Sequence, residues 1–123
     1  MNNVVLVGRL TDNPDVINTE NGKQITKITV AVNRNYKNVD GIYETDFIRC
    51  VLWNGIAGAT CEYCKVGDVI GIKGRLQTSS YENEENKKIY VTEVVAEKVT
   101  FLSSNKNKEE KKEEEKPKKA KKQ

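Results

Sequence analysis

The sequence predicts an all-β domain with one short helix, its strands closed into a small barrel. Three observations carry that expectation. Short β-branched runs recur along the chain, separated by clusters of Asn, Asp, Gly and Pro. A single segment has helical spacing, and it falls between the third and fourth major runs. Five strands in an open sheet would leave long apolar edges unpaired, whereas closure removes them.

The elements follow in order. Asn3 to Gly8 is an unbroken apolar run, which suits a strand buried on both faces or lying at a subunit contact. Thr11 to Gly22 is rich in turn formers, with room for only a short strand at Val16-Ile17. From Lys23 to Val32 the chain alternates, Ile28, Val30 and Val32 opposing Lys27, Thr29 and Ala31. Asn33 to Ile42 is polar, and its Asp40-Gly41 pair signals a hairpin, so this segment should project as a β-arm. In Glu44 to Trp53 the period of two sends Ile48, Cys50 and Leu52 toward the core, and Phe47, Arg49, Val51 and Trp53 away from it.

Asn54 can cap a helix running to about Lys65, with Ile56, Ala59, Thr60 and Tyr63 or Cys64 on its inner side, and Gly67 can end it. Asp68 to Leu76 reads as a strand with Ile70, Ile72 and Leu76 inward and Lys73 and Arg75 outward. Gln77 to Lys87 is a polar excursion carrying Tyr81, and Lys88 to Ala96 with Val99 to Leu102 completes the β content. Strand, strand, strand, helix, strand, strand is the order of the OB fold, a five-stranded Greek-key β-barrel.

Residues 1–103 form the expected domain. Beyond them, residues 104–123 contain no large apolar side chain after Lys106 and cannot bury enough surface to order themselves, so a disordered Lys/Glu-rich tail is expected. Charge divides at the same place. Residues 1–104 hold 12 Lys and Arg against 13 Asp and Glu, and residues 105–123 hold 9 Lys against 5 Glu, which accounts for the overall +3. Bulk charge is therefore no argument that the domain binds a polyanion; the placement of particular basic residues must carry that case. No signal-peptide pattern opens the chain and no run nears the ~18 apolar residues of a membrane helix. A cytoplasmic protein with reduced thiols at Cys50, Cys61 and Cys64 is the expectation.

With no histidine, His-based triads and His metal sites are unavailable. Cys61-x-x-Cys64 is half of a zinc pattern, and Cys50 does not complete it, so the pair reads as small helix-packing residues. Neither a catalytic centre, a metal nor a cofactor is expected. What remains is a set of aromatics interleaved with basic residues. Phe47 and Trp53 lie on one outward face, and Tyr36 and Tyr81 lie on or beside the two long excursions. A nucleobase has a π-face whatever its identity, so such rings accept single strands regardless of sequence. Arg34, Lys37, Arg49, Lys73, Arg75, Lys87 and Lys88 share those strands and loops and could meet phosphates. RNA and a protein partner remain open on the residues alone.

The chain also resembles the bacterial single-stranded DNA-binding protein family. The resemblance rests on Asn3 to Leu10, Ala31-Val32-Asn33-Arg34, Thr45-Asp46-Phe47, Cys50-Val51-Leu52-Trp53, Gly74 to Thr78, Tyr81-Glu82-Asn83 and Tyr90 to Ala96, in that order. It implies an OB fold assembled as a homotetramer, nucleoid-associated, with single-stranded DNA wrapped over it during replication, recombination or repair. It also implies base stacking at Tyr36, Phe47, Trp53 and Tyr81. Family members that recruit other proteins end in an acidic tip closed by Pro and Phe; this sequence ends Lys116-Pro117-Lys118-Lys119-Ala120-Lys121-Lys122-Gln123, so recruitment of that kind is not expected. A basic tail of this kind could instead add phosphate affinity.

Overall fold

The β-branched runs and turn formers resolve into seven elements in a computed structural model, which describes residues 1–103. They are β1 (Val4–Leu10), β2 (Ile17–Asn18), β3 (Gln24–Lys37), β4 (Tyr43–Trp53), α1 (Asn54–Tyr63), β5 (Val69–Glu82) and β6 (Lys88–Ser103). The tail expected from residue 104 onward lies outside the described residues.

The strands hydrogen-bond in the order β1-β5-β6-β4-β3, and β1 returns to β3 through Arg9↔Ala31 and Leu10↔Val30 to close the ring. Every pairing is antiparallel except β4 with β6, which meet in parallel at Cys50↔Val94 and Val51↔Val95. This is the five-stranded OB barrel. The two-residue β2 adds a short sixth strand against the start of β3.

Alternation supplies the core: Ile28 and Val30 from β3, Cys50 and Leu52 from β4, Ile70 and Ile72 from β5, Val94 and Ala96 from β6, all buried. Burying an aliphatic side chain of this size contributes about 1.5–3 kcal/mol. Helix α1 turns Ala57 and Thr60 onto the same cluster, with Cys64 following just past its end.

Five departures from the sequence expectation have identifiable physical causes. Asn54 does not cap α1: its backbone is left-handed (φ 52°) and its Oδ1 accepts from the Gln24 N–H at 3.2 Å, tying the helix start to β3. On α1, Ile56, Thr60 and the following Cys64 face the core as expected, but Ala57 is buried where Ala59 was expected, and Tyr63 is exposed and packs against Phe101 at 5.9 Å between ring centroids. Val51, expected outward, is buried, because the parallel seam sets it beside Val95, with Lys27 and Arg75 in the flanking register positions. Leu76, expected inward, is exposed: it has the same parity as Ile70 and Ile72, but β5 has by then left the barrel. On β1, Val5 and Val7 are exposed, so that strand is buried on one face only.

The first polar excursion is the β-arm that its Asp40-Gly41 signal implied, and the second, from Gln77, is strand rather than loop. β3 and β4 pair as far as Lys37↔Tyr43, and β5 and β6 as far as Glu82↔Lys88. Three turns share one construction. Gly22, Gly41 and Asn86 each donate a backbone N–H to the carbonyl three residues back, at 3.0 Å, and each has positive φ. At two of them an asparagine holds the loop: Asn38 Oδ1 accepts from Asp40 and Ile42, and Asn83 Oδ1 accepts from Glu85 and Lys87.

At Gly74 the backbones of β5 and β6 press together where the pairing register shifts. A Cβ there would collide with the Val95 carbonyl oxygen. This bulge lies within the barrel, two residues before Leu76, where β5 and β6 continue as a ribbon.

Candidate nucleic-acid interface

Because β4 and β6 run in parallel where they meet, and each begins at a hairpin tip, both tips lie at the same end of the barrel. Two ribbons thus project side by side, β3–β4 and β5–β6. Past Cys50↔Val94 they no longer pair, and a groove of about 280 Å³ opens between them. Phe47, Ile48 and Arg49 form one wall; Leu76, Thr92, Glu93 and Val94 form the other.

Phe47 is 67% exposed and Trp53 38%, both on the outer face of β4 with Arg49 between them. Six residues of strand separate the two rings by about 20 Å. Tyr36 and Tyr81 are also exposed. Tyr36 sits where three residues of β3 oppose Glu44 alone, an irregularity between Asn33 and Lys37. Tyr81 pairs with Ile89, which puts it on the opposite face of the β5–β6 ribbon from Leu76 and Tyr90. The four rings are thus distributed over both ribbons rather than gathered in one pocket.

The basic residues divide. Arg49 lines the groove. Lys37 lies over the Tyr43 ring, its Nζ 5.7 Å from the centroid. Lys87 and Lys88 stand at the tip of the β5–β6 ribbon. Arg34 is engaged: it donates to both Asp46 oxygens, the shortest contact being Nη2 to Oδ1 at 2.9 Å, and to Glu44 Oε1 at 3.1 Å. The bond to Arg34 holds the Asp46 carboxyl below the usual range and raises the guanidinium's own pKa, so both stay charged. Arg75 and Lys73 reach Glu97 at 3.7 and 3.8 Å. Lys73 also lines a second depression with Val5, Val7 and Lys98, away from the groove residues.

A family model described as the single-strand binding protein family matches residues 1–102. This chain belongs to that family. Within the single-strand binding protein family it is similar to Single-stranded DNA-binding protein B of Bacillus subtilis, 48% identical over 82% of this chain and 89% of that protein. The Single-stranded DNA-binding protein of Bacillus cereus is 50% identical over 83% of this chain, and that of Enterococcus faecalis 46% over 89%. The matches span 60% and 58% of those two longer proteins.

Among the exposed rings that the sequence did not single out, which include Tyr90 and Phe101, one stands on the β3–β4 ribbon, Tyr43. Its signal was present, since positions 43, 45 and 47 share a strand face; starting the strand at Glu44 hid it. The cysteines are free. Burial pushes the Cys50 thiol up to about 12 and Cys64 to about 11. Among the described residues no cluster of three or more Cys, Asp or Glu is arranged to hold a metal ion.

Proposed function

We propose that this protein binds single-stranded DNA without sequence preference and covers it during replication, recombination or repair. It is a binding protein with no chemical step. One observation carries the reading: Phe47 and Trp53 stand exposed on one face of β4 with Arg49 between them, and Phe47 and Arg49 line an open groove. Strands and loops on this side of an OB barrel are where oligonucleotides bind. Bases stack on the rings of Phe47, Trp53, Tyr36 and Tyr81, each worth about 1–3 kcal/mol. Arg49, Lys37, Lys87 and Lys88 neutralise phosphates, while Arg34, Lys73 and Arg75 contribute when their carboxylate partners release them. The names of the curated relatives support the same ligand.

Assembly as a homotetramer in the nucleoid belongs to this proposal. Its support is the outer face of β1, where Val5 and Val7 are 72% and 55% exposed, an apolar face suited to another copy of the chain.

Trp53 is the sole tryptophan, so its emission reports on the interface directly. Titration with oligo-dT should quench it strongly, with affinity falling steeply as salt rises. Unchanged emission on poly-dT at low salt would refute the stacking reading. Competition with a matched RNA oligomer separates DNA from RNA, and native mass with and without dT reads the oligomeric state.

A further inference from the structure

We propose that Tyr43, with Lys37 over its ring, is a fifth stacking position that carries the bound strand beyond Phe47 toward the tip of the β3–β4 ribbon. This rests on the single-stranded DNA reading and extends it. Three observations on the molecule point to it. Strand alternation gives Tyr43 the same face of β4 as Phe47, four residues further along. The ring is 56% exposed, which leaves its face open to a stacking partner. Lys37, its cross-strand partner, brings an ammonium to 5.7 Å from the ring centroid.

That pairing matches one nucleotide unit: a π-surface for the base and, beside it, a cation for its phosphate. The ligand class is therefore a nucleobase with its adjoining phosphodiester, recognised without regard to base identity. Arg49 repeats the arrangement next to Phe47, two residues along the same face. The outer edge of β4 then reads as aromatic and basic groups in succession, Tyr43, Phe47, Arg49 and Trp53. Neighbouring Asn33 and Thr45 hydrogen-bond each other at 2.9 Å, which stiffens the ribbon between the two rings.

The test compares Tyr43→Leu, Tyr43→Phe, Lys37→Met and Phe47→Ala for binding to a dT oligomer that saturates Trp53 quenching, with circular dichroism confirming the fold. Tyr43→Leu should bind roughly ten-fold more weakly, and Tyr43→Phe close to wild type, because the ring and not the hydroxyl stacks. Lys37→Met should make the log–log salt slope shallower by about 0.7. Photocrosslinking with 5-iodouracil-substituted DNA should label Tyr43, which a purely structural role would not produce. Wild-type affinity in Tyr43→Leu while Phe47→Ala has lost binding would overturn the assignment and leave the function standing. Crosslinks confined to Phe47 and Trp53 would overturn it too. Wild-type affinity in both variants would overturn the functional reading as well.

Discussion

Replacing Glu44 and Asp46 by their amides, Glu44→Gln with Asp46→Asn, should tighten single-stranded DNA binding and steepen its salt dependence. In the wild-type protein the trio of Arg34, Glu44 and Asp46 carries one positive and two negative charges, linked by contacts of 2.9–3.2 Å. The Asp46 carboxyl is held low by Arg34, so its charge persists wherever binding is measured. The double amide changes the trio from −1 to +1. Side-chain exposures of 36–46% make the medium close to water. Two unit charges at about 7 Å from a phosphate then alter affinity roughly five- to ten-fold at low ionic strength. Near physiological salt, with a screening length of about 8 Å, the gain shrinks to a few-fold. The released guanidinium can also take a phosphate, which steepens the slope of log affinity against log salt by about 0.7. Anisotropy titrations of a labelled dT oligomer over a salt series measure both quantities. If affinity and slope are unchanged, the trio lies off the DNA path. Weaker binding would mean that the ion pairs matter by positioning the ribbon, and the reasoning above would fail.

Two further outcomes follow from the barrel. Gly74→Ala should destabilise the protein by about 1–3 kcal/mol, because the new methyl meets the Val95 carbonyl oxygen across the β5–β6 bulge; an unchanged denaturation midpoint at fixed protein concentration would show slack there. Alkylation of the native protein at pH 8, mapped by mass spectrometry, should label Cys61 first and Cys50 only on unfolding, since Cys50 is buried and held neutral; equal labelling would contradict this. The raised Cys50 value also has a signed consequence: its contribution to stability is full below the unfolded thiol's pKa of about 8.5 and is lost as pH climbs toward 12.

What the sequence disclosed depended on whether the deciding contacts were local. The β4 pattern separated Phe47 and Trp53 from Cys50 and Leu52 because a period of two is a property of the strand itself. Val51 obeys the same period, yet it is buried, because its cover comes from β6, more than forty residues away. Leu76 has the parity of a core residue, and only the divergence of β4 from β6 leaves it in the groove. Asn21-Gly22 and Asp40-Gly41 announced their turns; Asn83 to Lys87 builds the same turn with Asn86 in the left-handed position, a weaker signal, so the ribbon beyond Gln77 read as loop. The engagement of Arg34 follows from the β3–β4 register, which sets it beside Glu44 and Asp46 and which no local pattern encodes.

The short parallel seam of Cys50↔Val94 and Val51↔Val95 divides the molecule's tolerance of change. On the barrel side, each of the five barrel strands contributes side chains sealed from water. On the other side, from residue 33 to 45 and from 77 to 92, not one residue is buried. Substitutions there cost the fold little, so the grip on a bound strand can be retuned residue by residue while the barrel's melting behaviour stays nearly constant. The affinity supplied by Tyr36, Tyr43 and Tyr81 is therefore separable from stability, and a designer or a lineage can vary it without spoiling the barrel.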